Sequence, residues 1–134
     1  MRTTQATSRT ERPQRILLVE DDEDIRTSTA ELVRSIGHHV EAVGDPAAAL
    51  SALESGPIDV LLADIDLAGH SGVELARQAV GRWPGLQVVF VSGYAQTPAE
   101  PAAAGLRNAL YLQKPYDLAM LERTLEAAAR RRGT

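Results

Sequence analysis

Four short apolar segments of this sequence each lead into side chains suited to phosphate chemistry. The first two lead into acids, at Glu20-Asp21 and at Asp64, the third ends at the hydroxyl of Ser92, and the fourth leads to the ammonium group of Lys114. A carboxylate can attack a phosphoryl group and form an acyl phosphate. A divalent cation, an ammonium group and a hydroxyl donor can together offset the negative charge of the phosphoryl oxygens. These residue types therefore predict a site that handles a phosphoryl group.

Each of these residues has a candidate role. Asp64 is the candidate nucleophile, while Glu20 and Asp21 offer oxygen ligands of the kind that Mg²⁺ takes beside water and phosphate oxygens. Ser92 and Lys114 can contact the remaining phosphoryl oxygens. Lys114 is the one lysine of a chain with thirteen arginines. A compact ammonium suits a tight phosphate pocket better than a guanidinium does, so this choice supports the assignment.

The apolar segments are typical of buried parallel strands, because they are short and continuously apolar. They span 16–19, 60–63, 88–91 and 109–112, with a weaker run at 40–43. Segments of helical period lie between them, and their predicted caps are Asp45, Ser71, Asp117 and Gly37. This order predicts an α/β fold, a doubly wound (βα)5 three-layer sandwich around a five-stranded parallel sheet. Ligands bind at the carboxyl ends of such strands, where the four groups should meet.

The predicted fourth helix has a weak pattern. Pro98 and Pro101 interrupt its first turn, and only the alanines at 102–104 favour a helix before Gly105. We therefore expect this helix to be short or loosely held.

Composition indicates one domain without a disulfide framework. The chain has 134 residues, no cysteine and a net charge of -4, and no segment resembles a signal peptide or a membrane span. We expect a disordered N-terminal tail at 1–14, a folded domain at 15–130 and a C-terminal tail at 131–134. The tails are rich in arginine but lack interleaved aromatic residues, so we expect no direct DNA binding. Because no segment resembles a signal peptide or a membrane span, we also expect no membrane contact and a cytoplasmic location. His38, His39 and His70 have no partners at metal-ligand spacing and are expected at the surface.

The motifs together resemble the receiver domain of two-component response regulators, which has the CheY-like, flavodoxin-like fold. The resemblance covers 15–130 and rests on four stretches in a fixed order. They are LLVEDDEDIR at 17–26, VLLADIDLAGHSG at 60–72, VVFVSGYA at 88–95 and LYLQKPYD at 110–117. One departure is Ala68, followed by Gly69, where the family usually has a proline.

The resemblance implies a specific metal and phosphate site. Asp64 would be the phosphoacceptor. Mg²⁺, with Mn²⁺ as a possible substitute, would be held by Asp21 directly, by Glu20 through water, by Asp64 and by the backbone carbonyl of Asp66.

The resemblance also implies the residues that respond to the phosphate. Ser92 and Lys114 would bind it, and Tyr111 would turn inward as a switch aromatic. Gly93 would leave the site accessible. Tyr94 and Asp66 would tune the lifetime of the phosphate. The Lys114-Pro115 peptide bond would be cis, as X-Pro bonds sometimes are.

The implied function is a phosphorylation switch. A sensor histidine kinase or a histidine phosphotransfer protein would pass a phosphoryl group from histidine to Asp64. The face formed by the predicted fourth helix, fifth strand and fifth helix would then change shape, and an unknown protein target would read it. We expect stoichiometric self-phosphorylation with slow autodephosphorylation and no dedicated turnover, so the chain would not be an enzyme. It would be a monomer or a phosphorylation-dependent dimer.

Two alternatives remain open from the sequence. The SGYA and LQKPYD stretches also resemble receivers fused to hybrid histidine kinases, so the chain could be an excised domain. Asp64-Ile65-Asp66 also fits the DxD signature of haloacid-dehalogenase phosphatases. In those enzymes, however, the acidic pair follows the other motifs, whereas Glu20-Asp21 comes first here.

Overall fold

The computed structural model describes residues 12–67, 69–93 and 105–132. Its main sheet has five parallel strands, which are β1 (Arg15–Val19), β2 (His39–Val43), β3 (Val60–Asp64), β6 (Gln87–Ser92) and β7 (Leu110–Gln113). Their order across the sheet is β2-β1-β3-β6-β7. A short antiparallel hairpin follows β3, formed by the two-residue strands β4 (Asp66–Leu67) and β5 (His70–Ser71). This is the predicted doubly wound sheet, with one addition, the hairpin, that no sequence pattern indicated.

Helices cover both faces of the sheet. The described residues contain α1 (Glu23–Ile36), α2 (Pro46–Ser55), α3 (Gly72–Arg82) and the C-terminal helix α4 (Leu118–Arg132). Buried residues of α1 and α4 form one apolar cluster with the sheet, and those of α2 and α3 form a second cluster on the other face. The three-layer sandwich is thus confirmed. The short or loosely held fourth helix predicted from the sequence would lie within 94–104, outside the described residues. None of the helices in the described part of the chain is long and apolar enough to span a membrane.

Each predicted helix cap forms a hydrogen bond of the expected kind. The side chain of Asp45 accepts from the N–H of Ala48 at 2.8 Å, and that of Ser71 accepts from the N–H of Glu74 at 3.2 Å. Asp117 accepts from the N–H of Met120 at 2.8 Å. These bonds satisfy backbone donors at helix N-termini that have no partner inside the helix. They fix where α2, α3 and α4 start relative to the strand ends.

The folded domain begins one residue earlier than expected. Gln14, assigned to the N-terminal tail from the sequence, is fully buried. Its Nε2 donates to the carbonyl of Leu125 at 2.9 Å, and its backbone N–H donates to Nδ1 of His38 at 3.0 Å. A polar side chain is tolerated in the interior when its hydrogen bonds are made there, and hydropathy does not reveal this. At the other end, α4 continues to Arg132, beyond the expected limit of the domain at residue 130.

The prediction for His38 was wrong, because this residue is only 4% exposed. Its Nδ1 accepts the hydrogen bond from Gln14, so the neutral ring carries its proton on Nε2. That Nε2 is buried and has no hydrogen-bond partner among the described residues. His39 and His70 are exposed, as expected.

The start of α3 presses against the end of β3. The N–H of Gly72 donates to the carbonyl of Ile65 at 2.8 Å. A Cβ on Gly72 would lie 2.0 Å from the carbonyl oxygen of Asp64 and 3.1 Å from the Cα of Ile65. Both are main-chain atoms and cannot move without moving the strand end. Only glycine fits here, and its small size lets the helix fix the backbone at Asp64.

We predict that His38 makes stability depend on pH in the mildly acidic range. Burial lowers the pKa of His38 below its ordinary 6.5, and the nearby His39 adds to this effect. The unfolded chain therefore binds a proton at a higher pH than the folded chain does. The free energy of unfolding should fall as the pH decreases from about 6.5 towards the folded-state pKa. Urea unfolding at a series of pH values between about 5 and 7.5, which brackets the ordinary pKa of histidine, measures this slope.

The His38→Asn variant should lose that part of the slope, since Asn offers an acceptor that does not titrate. The His70→Asn variant, changed at an exposed histidine, should keep the slope of the parent protein. A His38→Asn variant with an unchanged slope would contradict the prediction.

We predict that Gly72→Ala destabilises the fold. Overpacking against main chain typically costs about 1–3 kcal/mol, and the contact with the carbonyl of Asp64 puts this variant at the upper end. Gly81→Ala is the matched control in the same helix, because its Cβ would meet nothing within 4 Å. That change should raise the free energy of unfolding, by up to about 1 kcal/mol. Equal stability of the two variants by urea unfolding would show that Gly72 is not needed for space.

Candidate functional site

The strand register brings the first acid beside Asp64. Val19, the last residue of β1, pairs with Ala63 of β3, so Glu20 comes level with Asp64 at the carboxyl end of the sheet. Because β2 and β3 lie on opposite sides of β1, the gap between β1 and β3 is where the strand order reverses. Ligands in open α/β sheets bind at such a point.

The other side of β3 supplies the hydroxyl and the ammonium. Asp64 pairs with Val91, so Ser92 stands one residue further along β6. Ser92 in turn pairs with Gln113, and Lys114 follows it. The backbone N–H of Lys114 donates to the carbonyl of Ser92 at 2.8 Å, which fixes the turn that leaves β7. The next peptide bond, Lys114-Pro115, is cis as predicted.

An ion pair links the outer strand to the centre of the sheet. Nζ of Lys114 lies 2.9 Å from Oδ2 of Asp64. The Asp64 side chain is 11% exposed and that of Lys114 is 39% exposed, so the pair is partly buried. Burial lowers the pKa of Lys114, but the hydrogen bond to Asp64 and the charges of Asp64 and Glu20 outweigh it and leave that pKa raised. The ammonium is therefore charged at neutral pH and positioned on the carboxylate.

Glu20 is an acid in a crowded and largely dry place. It is 7% exposed, and its carboxylate accepts a hydrogen bond from the N–H of Asp22 at 3.0 Å. Burial raises the pKa of Glu20, and the negative charges of Asp64 and Asp21 raise it further. The N–H of Asp22 and the charge of Lys114 act in the opposite direction. One lysine thus faces several acids, and a bound cation would relieve the remaining repulsion.

The donor set fits Mg²⁺. This ion binds through one or two carboxylates and keeps several waters or phosphate oxygens, so it does not need a cage of protein ligands. Among the described residues no three acidic or histidine side chains form a ready metal cluster. The carboxylates of Glu20 and Asp64 adjoin at the sheet end, and Asp21 is exposed beside them. The main chain of Asp66 follows in β4. Two carboxylates, a carbonyl and water would complete such a shell.

The predicted switch residues lie on the two strands that lead to this site. Ser92 is buried at the end of β6, and Gly93 follows it. Tyr111 is half-buried in β7, with its ring centroid 5.9 Å from that of Phe90 and the planes inclined by 31°. Burial raises the pKa of Tyr111, so its hydroxyl stays protonated at neutral pH. Tyr94 and Asp66 are predicted to tune the lifetime of the phosphate. Tyr94 and the side chain of Asp66 lie outside the part of the chain that the structure describes.

Two residues that support the site were not assigned a role from the sequence. Gly72 leaves space for the main chain of Asp64, and Nη1 of Arg26 donates to the backbone carbonyl of Glu20 at 2.8 Å. A glycine directly after a helix cap was a usable signal, because glycine disfavours helices unless close packing requires it. For Arg26 the sequence offered only its position six residues after Glu20.

Comparisons with known proteins agree with this geometry. The family model described as "Response regulator receiver domain" matches residues 16–126. The response regulator receiver protein CpdR of Brucella abortus is 36% identical over 112 residues, which cover 84% of this chain and 93% of that protein. The sensor kinase CckA of the same organism is 27% identical over 113 residues, which cover 83% of this chain and 12% of the kinase.

A solved structure supports the fold independently. A response regulator receiver domain protein from Clostridium thermocellum has a TM-score of 0.81, covering 90% of this chain and 97% of that one, at 22% identity. The relatives include both a small receiver protein and a segment of a much larger kinase. The family match spans the acidic pair, Asp64, Ser92 and Lys114 in receiver order, which gives no support to the phosphatase alternative. The chain belongs to the response regulator receiver domain family of two-component signal transduction.

Proposed function

We propose that this chain is a phosphorylation switch whose phosphoacceptor is Asp64. The observation that carries the proposal is the placement of this carboxylate. It stands at the end of the central strand β3, bonded to Nζ of Lys114 at 2.9 Å and level with the buried Glu20. A side chain at that position is held in place yet reaches the surface of the sheet end.

The chemical step is an in-line displacement at phosphorus. A carboxylate oxygen of Asp64 attacks, the new P–O bond forms, and the bond to the departing group breaks with its electron pair. That group is a histidine ring of a partner protein, or acetate when the donor is acetyl phosphate. Lys114 neutralises one phosphoryl oxygen, and the hydroxyl of Ser92 donates to another. Mg²⁺ bound near Glu20 and Asp21 would supply charge neutralisation between carboxylate and phosphoryl oxygens.

The same contacts transmit the signal. Before phosphorylation Lys114 is bonded to Asp64; afterwards it bonds the phosphoryl group, and Ser92 moves towards it. Tyr111 then turns into the space near Ser92. Tyr111 lies in β7, Lys114 directly follows that strand, and α4 begins four residues after Lys114. The surface of β7 and α4 therefore changes with the phosphate. This is a shift between two pre-existing states that the phosphate biases, and a protein target reads the result.

The donor is a sensor histidine kinase or a histidine phosphotransfer protein that docks on α1. This helix begins three residues after Glu20, so its first turns adjoin the site. Two of its apolar side chains, Ile25 and Leu32, are 44% and 37% exposed and lie seven residues apart on one face. We propose stoichiometric phosphorylation and slow hydrolysis, without a turnover reaction of its own.

Intact mass spectrometry after incubation with acetyl phosphate and Mg²⁺ tests the chemical proposal. We expect one added phosphoryl group, lost when Mg²⁺ is chelated. The Asp64→Asn variant, which keeps the shape but loses the nucleophile, should gain none. No adduct with steady consumption of acetyl phosphate would indicate a phosphatase instead, and an adduct on Asp64→Asn would place the acceptor elsewhere.

Phosphotransfer from a histidine-phosphorylated partner tests the docking helix. The Ile25→Glu variant should slow this transfer about tenfold, which corresponds to about 1.4 kcal/mol of lost contact. Its phosphorylation by acetyl phosphate should be unchanged. Ser51→Glu adds the same charge on α2, which covers the opposite face of the sheet, and should leave both reactions unchanged. Equal transfer rates for Ile25→Glu and the parent protein would rule out docking at this position.

A further inference from the structure

Arg26 contacts the main chain of the acidic pair. Its Nη1 donates to the backbone carbonyl of Glu20 at 2.8 Å. That carbonyl belongs to the peptide that links Glu20 to Asp21, so the bond fixes the plane from which both acidic side chains project. Arg26 lies in the first turn of α1 and is half-buried. The guanidinium therefore reaches back over the segment that connects β1 to the helix.

Other hydrogen bonds hold the chain on both sides of the Glu20–Asp21 peptide, and the bond from Arg26 orients the peptide itself. The N–H of Glu20 donates to the carbonyl of Val43 at 3.1 Å, which ties the residue to β2. The N–H of Asp22 donates to the carboxylate of Glu20. The segment is thus held before and after the Glu20–Asp21 peptide, and the bond from Arg26 fixes the orientation between them.

Gly44 provides the space in which the guanidinium lies. A Cβ on Gly44 would be 2.8 Å from Nη1 of Arg26 and 3.9 Å from the carbonyl oxygen of Glu20. The φ angle of Gly44 is not positive, unlike that of Gly37, so its backbone does not itself require glycine. Because Gly44 has no side chain, the guanidinium of Arg26 has room to reach the carbonyl of Glu20.

Arg26 orients the acids without neutralising them. Its hydrogen bond goes to a main-chain carbonyl, and the charges that move the pKa of Glu20 are those of Asp64, Lys114 and Asp21. A cation site needs carboxylates that keep their negative charge. An arginine bonded to the carboxylates would compete with the metal, whereas one bonded to the peptide does not.

We infer that Arg26 is a positioning residue for the divalent cation. Through the space beside Gly44 it fixes the Glu20–Asp21 peptide so that both carboxylates face the cation together. The inference rests on the proposed phosphoacceptor site and adds to it a residue that touches neither metal nor phosphate. Groups that orient metal ligands in this way commonly change metal affinity by about 10–100-fold when removed.

The test is Mg²⁺ affinity of the full unphosphorylated chain, measured by isothermal titration calorimetry with MgCl₂. We expect Arg26→Ala to raise the dissociation constant on the order of tenfold. Arg26→Lys should recover part of the affinity, since an ammonium can reach a carbonyl but lacks the planar guanidinium fork. Arg34→Ala is the matched control: it removes the same charge from α1, where Arg34 also donates to a main-chain carbonyl, that of Val40 at 3.5 Å. It should leave the affinity unchanged.

Gly44→Ala tests the mechanism with Arg26 still present. The added methyl group comes too close only to the flexible end of the arginine, since the carbonyl oxygen of Glu20 would lie at an ordinary contact distance of 3.9 Å. Stability should therefore change little while Mg²⁺ affinity falls. In the Arg26→Ala background, Gly44→Ala should have no further effect, because the two changes act through one contact. Additive effects would contradict a shared role.

Kinetics with acetyl phosphate separate positioning from general damage. Arg26→Ala should need more Mg²⁺ for half-maximal phosphorylation but reach the parent rate at saturation. An unchanged Mg²⁺ affinity in a folded Arg26→Ala variant would overturn the inference and leave the phosphoacceptor proposal intact. A parent chain that neither binds Mg²⁺ nor accepts a phosphoryl group would overturn both.

Discussion

The ion pair between Lys114 and Asp64 is the interaction on which the rest of the site depends. Two acids, Glu20 and Asp64, are brought level by the register of β1 and β3 in a place with little access to water. Their mutual repulsion and burial are costly, and one ammonium at 2.9 Å offsets part of that cost. The sheet order explains how this is possible, since β7 delivers the lysine from the edge to the centre.

The surplus of negative charge also explains why the site should respond to phosphate. A phosphoryl group adds further charge to a place that one lysine already balances only in part. Its arrival must redistribute the available cations and donors, and those groups sit on different strands. In the proposed switch, a small movement of Lys114 or Ser92 would affect β7 and α4, whose buried residues pack in one apolar cluster. In the proposed switch, the electrostatic imbalance at one sheet end would become a change of surface shape elsewhere.

Much of this arrangement could be predicted from the sequence, for identifiable reasons. Continuous apolar runs marked the strands, and cap residues such as Asp45 and Ser71 marked the helix starts, because both signals are local. Contacts between distant segments left no such signal. The burial of Gln14 depends on the carbonyl of Leu125, far along the chain. The orientation of His38 depends in turn on Gln14. The space beside Gly44 in which Arg26 lies likewise appears only when the residue after β2 and the first turn of α1 are placed together.

The most direct test of the account is the identity of the acid that carries the phosphate. Borohydride reduces an acyl phosphate to an alcohol, so the phosphorylated side chain can be located by peptide mass spectrometry after acetyl phosphate treatment. We expect conversion of Asp64 to homoserine, with Glu20 and Asp21 unmodified. A reduced side chain at Glu20 or Asp21, with Asp64 intact, would contradict the assignment of nucleophile and metal ligands on which the proposal rests.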